Sequence, residues 1–485
     1  MATDHHKQDS NKQSSDSMEK LKTTLIILAA GKGTRMQSTL PKIVHPVAGH
    51  PMISRVVAAA EQAEFDDIRI VLSPETHLVE QLLESRGVFC FYQAEQKGTA
   101  DAVKSAQPET AQGTVVIING DHPLISSEDL KDWVREFQEE HADMAVISAI
   151  VKKPGSYGRI VRHKDQICAI VEAKDASAET LKINEINTGI YVYKSECLNE
   201  FLPRIQNENM QKEFYLTDMI ELCIKAQRKV HVIKGKPHVA YGVNNQHELA
   251  RATRYVYRRK AKQLMDQGVI IVDPSNTYIE ETVSIGPATV IFPNVHLRGQ
   301  TEISSFCVIE PHCLIMNSRL AQNVQVRAGS HLEECEVHEQ ACLGPYARIR
   351  PQTVVGKDSH IGNFVELKKA IRGEGVKASH LSYLGDTVIG DHTNIGCGTI
   401  TCNYAVDKKK YQTKIGKNVF VGSDTQFVAP VQIGDDAVIG SGSCITKDVG
   451  SGELALTRSP QKNIPGYMEK IKKKLSEKAN QIKAN

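Results

Sequence analysis

The sequence predicts a chain of mixed class, an α/β domain followed by an all-β domain, and three observations carry that reading. Over the first half, short apolar runs alternate with stretches of helical spacing, the pattern of a mostly parallel sheet covered by helices. After Asp273, aliphatic residues recur at every sixth position, a period that suits neither a helix nor an ordinary strand but does suit a parallel β-helix of hexapeptide repeats. The chain of 485 residues is also too long for one compact core, so two or more domains are required.

Residues 1–20 are polar and rich in Ser, Gln, Asp and Lys, a composition that buries too little apolar surface to order, so they read as a disordered tail in which His5 and His6 are solvated. Residues 21–245 form the α/β domain. Strands are expected at 24–29, 68–72, 115–119 and 144–151, with helices at 53–63 and 128–139 between them. Residues 246–268 read as a linker built on one amphipathic helix ending at 267, with Leu249, Ala252, Val256 and Leu264 near one face and Arg or Lys over much of the rest.

Residues 269–465 carry the hexads: Ile285, Ile291, Leu297, Ile303, Ile309 and Ile315; Val337, Leu343, Ile349, Val355 and Ile361; and Ile415, Val421, Phe427, Ile433, Ile439 and Ile445. One flat face per hexad and three faces per turn make a triangular prism whose aliphatic positions stack into a continuous core. The period breaks at 364–381 and 402–413, and both segments are expected to emerge as loops, where chemistry on a rigid scaffold is usually placed. Residues 466–485 read as a solvated basic tail.

Bulk composition excludes several function classes. With 59 basic and 57 acidic residues the chain has no global field to attract nucleic acid or an anionic membrane, so any anionic substrate must be held by local groups. A single Trp, Trp133, argues against stacking platforms for single strands. The eleven cysteines are scattered, with no CxxC pair or zinc-type spacing, and read as reduced thiols. No leader-like apolar region and no bilayer-length run is visible, which places the protein in the cytoplasm with no membrane span.

The first strand runs into Leu28-Ala29-Ala30-Gly31-Lys32-Gly33-Thr34-Arg35-Met36, followed by Pro41-Lys42. Glycines directly after a strand let backbone N–H groups approach phosphate oxygens. The third glycine of a dinucleotide fingerprint and the Gly-Lys-Ser/Thr end of a P-loop are both missing. In their place stand two cations, Arg35 and Lys42, suited to neutralising a triphosphate during phosphoryl transfer.

This signature resembles that of the sugar-nucleotide transferases. It continues through Gln93-Ala94-Glu95-Gln96-Lys97-Gly98-Thr99, Gly120-Asp121, Tyr157-Gly158-Arg159-Ile160, Ile170-Val171-Glu172, Glu185-Ile186-Asn187-Thr188-Gly189 and Gly242-Val243-Asn244-Asn245. Together with the hexapeptide half, nearly all of residues 22–465 resemble the bifunctional N-acetylglucosamine-1-phosphate uridylyltransferase/glucosamine-1-phosphate acetyltransferase family. The resemblance implies a Rossmann-like nucleotidyltransferase domain and a left-handed β-helix. It implies a UTP site at Leu28, Ala29, Ala30, Gly31 and Lys42, with Gln93, Gly98 and Thr99 reading uracil. Gly158, Glu172, Asn187 and Asn244 match the residues that hold N-acetylglucosamine-1-phosphate. Asp121 and Asn244 match the ligands of a catalytic Mg²⁺, and Arg35, Lys42 and Asp121 match the catalytic set. One departure is visible: Asn119 stands where an aromatic residue is expected, with His122 after the carboxylate.

The second site lies in the interrupted part of the repeat. Acetylating an amine needs a base, a task that suits histidine, and His380 matches the family's base. Arg350 and Lys368 match the phosphate clamp for glucosamine-1-phosphate, with Tyr383, Asn394 and Lys410 also on the sugar. Asn403 and Tyr404 match residues that orient the sugar and contact acetyl-CoA. Cys397, through its backbone N–H, together with Ser423, Ser441 and Arg458 matches the acetyl-CoA positions. Cys397 replaces an expected Ala. The loop 405–410 lacks the usual Asp-Gly and is one residue longer, which leaves Lys409 and Lys410 as alternatives. Shared sites between neighbouring prisms imply a homotrimer. Three further readings are a one-activity nucleotidyltransferase with an oligomerising β-helix, a non-catalytic scaffold, and a β-helix metalloenzyme built on a His trio.

Overall fold

The computed structural model describes Leu21–Ala484 apart from Asp165, Met210 and Gln211, so the expected tail at 1–20, with His5 and His6, lies outside the described residues. The chain divides into two compact units between Val256 and Tyr257.

In the first unit the strands lie in the order Val230–Lys234, Met144–Ile150, Glu185–Lys194, Thr114–Asn119, Thr23–Leu28, Asp67–Leu72 and Phe89–Tyr92. Unbroken apolar runs suit central strands, because both faces are covered. Alternate residues feed two cores: Leu25, Ile27, Val116 and Ile118 pack with Trp133 and Phe137, whereas Ile26, Val115 and Ile117 pack with Tyr193 and Phe201. Helices Met52–Gln62 and Ser127–Glu139 match the helical spacing read at 53–63 and 128–139, and Ser126 with Asp129 closes a capping box on the second. Glu185–Lys194 departs from the parallel pattern: it runs antiparallel to Thr114–Asn119, Met144–Ile150 and Arg159–His163 and breaks register between Asn187 and Tyr191, where Gly189 takes φ +76°; Arg159–His163 is in turn antiparallel to Gln166–Val171. Strands Thr23–Leu28 and Thr114–Asn119, parallel and adjacent, present their carboxyl ends on the same edge. In such sheets that edge is where ligands bind.

The second unit is a left-handed parallel β-helix of mostly two- and three-residue strands stacked in three ladders. Every hexad residue is buried, none more than 8% exposed. Truncating one to Ala removes about 2–5 kcal/mol by the usual cavity cost. The break at 402–413 does leave the prism as a loop, but the one at 364–381 does not. There Glu366–Arg372 is a strand that pairs with Arg348–Ile349, Thr353–Val355 and Tyr383–Ile389. Ile349 pairs with Leu367 but Leu367 pairs with Leu384, so the coil has lost one residue rather than gained a loop. A missing residue spoils a six-residue count just as an insertion does.

Helix Gln246–Asp266 spans the division between the units, and its Ala261 and Leu264 belong to the β-helix core. The lysine-rich end is helical over Tyr467–Ala484.

Candidate functional site

Leu28, Ala29, Ala30 and Gly31 line one wall of a cavity of ≈ 250 Å³ at the sheet's carboxyl edge, together with Lys42, Gln93, Gly98, Thr99 and Asp121. Ile43, Gln96, Ala102, Asn119 and Glu213 complete the lining. Gly33 takes φ +63°, and a Cβ there would fall 2.5 Å from Lys42 Cβ, so only glycine lets the loop close on Lys42. Gly98 (φ +118°) presses against the chain at Phe214, whose carbonyl oxygen would lie 2.5 Å from an added Cβ. Gln93 is buried and its amide nitrogen donates to Gly98 O (3.2 Å) and Asp101 Oδ2 (2.7 Å), while Leu216 N donates to Thr99 Oγ1 (3.0 Å). Gln96, which sequence reasoning passed over, donates to Ala30 O and ties the Gln93–Thr99 segment to the glycine loop.

Beneath this cavity the Lys42 ammonium donates to Asp121 Oδ2 and to Asn244 Oδ1 (2.8 Å), and Arg35 Nη2 also donates to Asn244 Oδ1 (2.9 Å). Burial pushes the Asp121 carboxyl up, but Lys42 and His122 outweigh it and hold it below the ordinary carboxylate range. Asp121 Oδ1 is a buried acceptor with no hydrogen-bond partner among the described residues; His122 Nε2 stands 3.6 Å away, with its other ring nitrogen on Val239 O (2.9 Å). A carboxylate and a carboxamide oxygen make a hard, oxygen-only donor set. Among the described residues no group of three His, Cys, Asp or Glu gathers to hold a metal.

Gly158, Glu172 and Asn187 also come together. Gly158 O accepts from Asn187 N (2.9 Å), and a Cβ on Gly158 would sit 3.2 Å from Glu172 Oε1. Burial, reinforced by Asp175, raises the Glu172 carboxyl. Asn187 is engaged within the chain: Nδ2 donates to Tyr191 Oη (2.9 Å) and Oδ1 accepts from Gly189 N (3.0 Å).

In the β-helix, Asn363 and His380 occupy the same corner of consecutive coils and pair in register. His380 is exposed, and its Nδ1 lies 2.8 Å from Asn363 Oδ1. An amide oxygen can only accept, so in the neutral ring the tautomer with the proton on Nδ1 and the lone pair on Nε2 fits this bond. In the same unit, Arg350 donates to Glu366 (2.8 Å), and Lys368 meets Lys410. The close Lys410 ammonium, then burial and Arg350, pushes Lys368 below the ordinary lysine value. Lys409 N donates to Asp407 Oδ1 (3.0 Å) and its carbonyl accepts from Ala405 N (3.0 Å), which closes the loop turn. Asn403 donates to Asp386 (2.5 Å) and faces Tyr383 Oη (3.5 Å), and Tyr404 bridges the backbone of Lys410.

Asn394 belongs to a different ladder from Arg350, Lys368 and Tyr383, so one chain does not bring all the sugar residues onto one face. Cys397 and Ser423 follow in adjoining coils, with Asp424 N donating to Cys397 O (2.7 Å), and Arg458 donates to Ser441 O (2.8 Å). The Cys397 corner is equivalent to that of Pro345, which has no N–H to give; among the described residues no acceptor takes the Cys397 N–H. Asn363, Glu366 and Asp386 were missed as site residues. For Asn363 and His380 the signal was one coil of spacing.

Residues 25–188 match a family model described as the MobA-like NTP transferase domain, and residues 412–447 match that of the bacterial transferase hexapeptide (six repeats). The bifunctional protein GlmU of Bdellovibrio bacteriovorus is 57% identical over 438 residues, covering 90% of this chain and 96% of the relative. The chain belongs to the bifunctional GlmU family. GlmU proteins of Pelobacter propionicus and Geotalea uraniireducens are 44% and 43% identical, each over 93% of this chain and over 98% and 99% of their own length. As in its GlmU relatives, a nucleotidyltransferase domain and a hexapeptide transferase domain share one chain. Among the described residues no helix is long and apolar enough to cross a membrane.

Proposed function

We propose that this chain makes UDP-N-acetylglucosamine in two steps, acetylating glucosamine-1-phosphate with acetyl-CoA in the β-helix and then joining the product to UMP from UTP in the α/β domain. The observation that carries the reading is the pairing of His380 with Asn363 on the same β-helix as the close Lys368 and Lys410, on the same chain as a cavity lined by Lys42 and Asp121, with Asn244 bonded to Lys42.

In the first step Arg350, Lys368 and Lys410 hold the sugar phosphate and His380 Nε2 takes a proton from the amine as it attacks the thioester carbonyl. The open Cys397 N–H donates to the oxygen that becomes negative, and the CoA thiolate leaves. Ser423, Ser441 and Arg458 contact the carrier. In the second step Gln93, Gly98 and Thr99 take the uracil, Gly158, Glu172 and Asn187 the acetylamino sugar. Arg35 and Lys42 neutralise the phosphates while the sugar-phosphate oxygen attacks the α-phosphorus and pyrophosphate departs. Bound by Asp121 and Asn244, Mg²⁺ would supply further charge neutralisation at the phosphates. Positioning and charge suffice, with no covalent enzyme intermediate.

We further propose a homotrimer. Tyr346, Phe364 and Leu381, at successive turns of one corner, are each 58–60% exposed, and the Tyr346 and Phe364 rings stack at 5.7 Å beside His380. Such a strip favours self-association, and the separation of Asn394 from Tyr383 favours a site completed by a second prism. A cytoplasmic home is supported by eleven free thiols, of which Cys197 and Cys223 share a hydrogen bond at 3.6 Å rather than a disulfide. The test is to supply glucosamine-1-phosphate, acetyl-CoA, UTP and Mg²⁺, omit each in turn and follow products by mass. UDP-N-acetylglucosamine should require all four, and formation of UDP-sugar without acetyl-CoA from the unacetylated phosphate would refute the order.

A further inference from the structure

We infer that Lys42 holds the cation position between Asp121 and Asn244 and that the divalent ion enters only with the nucleotide that draws Lys42 away. This rests on the reading of Asp121 and Asn244 as the metal's ligands. The Lys42 ammonium donates to Asp121 Oδ2 and, at 2.8 Å, to Asn244 Oδ1, the two side chains proposed for the metal. A cation bonded to both occupies the place between them. Its relation to Asp121 is an ion pair at a largely buried position, with side-chain exposures of 13% and 17%, so neither charge is left to water. Arg35 reaches only the Asn244 oxygen and is exposed, and so competes for one ligand rather than two.

The consequence follows from mass action. An ion arriving alone must break both Lys42 contacts and leave an ammonium beside a dication in a confined site, which is repulsive on both counts. A triphosphate in the adjoining cavity, which Lys42 itself lines, offers the ammonium new anionic partners. The swing of one lysine then exposes Asp121 and Asn244, and Asp121 Oδ1, buried without a hydrogen-bond partner among the described residues, adds a second oxygen of the same carboxylate. Metal and nucleotide binding are thereby coupled, each raising the affinity for the other by the same factor.

The experiment is Mn²⁺ binding to the full chain, read from the loss of the free-ion paramagnetic resonance signal, with and without UTP. The wild type should bind Mn²⁺ weakly alone and at least tenfold more tightly with UTP. Lys42→Met should bind Mn²⁺ alone roughly ten- to hundredfold more tightly than wild type, the scale of one charge-assisted hydrogen bond released, and the dependence on UTP should shrink. Arg35→Gln removes the same charge without the two-ligand contact and should gain less than about threefold. Equal gains in Lys42→Met and Arg35→Gln, or no gain in Lys42→Met with its fold intact by circular dichroism, would overturn the inference. Asp121→Asn separates the two readings: if it leaves UTP-dependent Mn²⁺ binding unchanged, the metal assignment fails instead.

Discussion

The two sites solve the problem of holding a phosphorylated sugar in opposite ways. In the α/β domain the charges are satisfied by one another before any ligand arrives: Lys42 pairs with Asp121, and Arg35 and Lys42 share Asn244. In the β-helix, Arg350 is paired with Glu366, but Lys368 and Lys410 are held against each other and the histidine stands in the open. On the reading proposed above, the first site is opened by its substrate, and the lysine pair of the second gains stability when an anion comes. The difference follows from architecture: a sheet edge with long loops can fold an acid onto a base, whereas a prism face offers one side chain per coil at ≈ 4.8 Å spacing and stacks whatever residues the register supplies.

The largest expected break in this contrast is His380→Ala, which should lower acetyl transfer by roughly a hundred- to ten-thousandfold and leave uridylyl transfer unchanged, since the histidine lies in the β-helix unit. Raising the pH should partly rescue it, because more of the amine is then deprotonated; equal activities at neutral pH would reassign the base. Asn363→Ala should be milder. It leaves Nε2 in place but frees the ring to rotate and to change tautomer, so a fall of about tenfold in turnover with little change in KM is expected, with Asn363→Asp recovering part of it.

A stability measurement sharpens the charge contrast. Lys368 has a folded pKa below its unfolded value, so the folded state binds fewer protons in the window between the two. The cost is fully present below the folded value and is relieved as pH rises toward about 10.4. Lys410→Met should therefore raise the melting temperature of the ligand-free protein at pH 7, with the gain fading as the pH approaches 10. Added glucosamine-1-phosphate should stabilise the wild type more than the variant. A lower melting temperature in ligand-free Lys410→Met would show that the cluster is not strained.

The smallest effect concerns the scaffold. Asp129 is 3% exposed and accepts from Ser126, Lys236 and His238. Burial raises its carboxyl, but His238 and Ser126 outweigh burial and hold it well below the usual range. Its contribution is present above the unfolded value near 3.9 and is lost as pH falls through the folded one. Asp129→Asn should cost about 1–3 kcal/mol at pH 7 and progressively less in acid, measured by urea denaturation.

Much of this was readable from residues in order. The six-residue period located the prism and its core, since each aliphatic position is set by its own neighbours in sequence, and the apolar runs located the central strands. What could not be read depends on partners far along the chain. The antiparallel insertion of Glu185–Lys194 is a matter of sheet order, which no local pattern encodes. The shortened coil at 364–381 has the same signature as a loop until its pairing with Tyr383–Ile389 is known. The meeting of Lys42 with Asp121 and Asn244 spans most of the first unit. By contrast, Asn363 was within reach: one coil separates it from His380, and register alone puts them together.

The central claim is that one chain carries two chemically independent transfer sites, and Asp121→Asn tests it most directly when both half-reactions are assayed on the same preparation. Uridylyl transfer from UTP to N-acetylglucosamine-1-phosphate should fall by about a thousandfold or more, as the carboxylate that faces the phosphates is lost. Acetyl transfer to glucosamine-1-phosphate should stay within twofold of wild type. Loss of both activities in a folded protein, or retention of uridylyl transfer, would contradict the account.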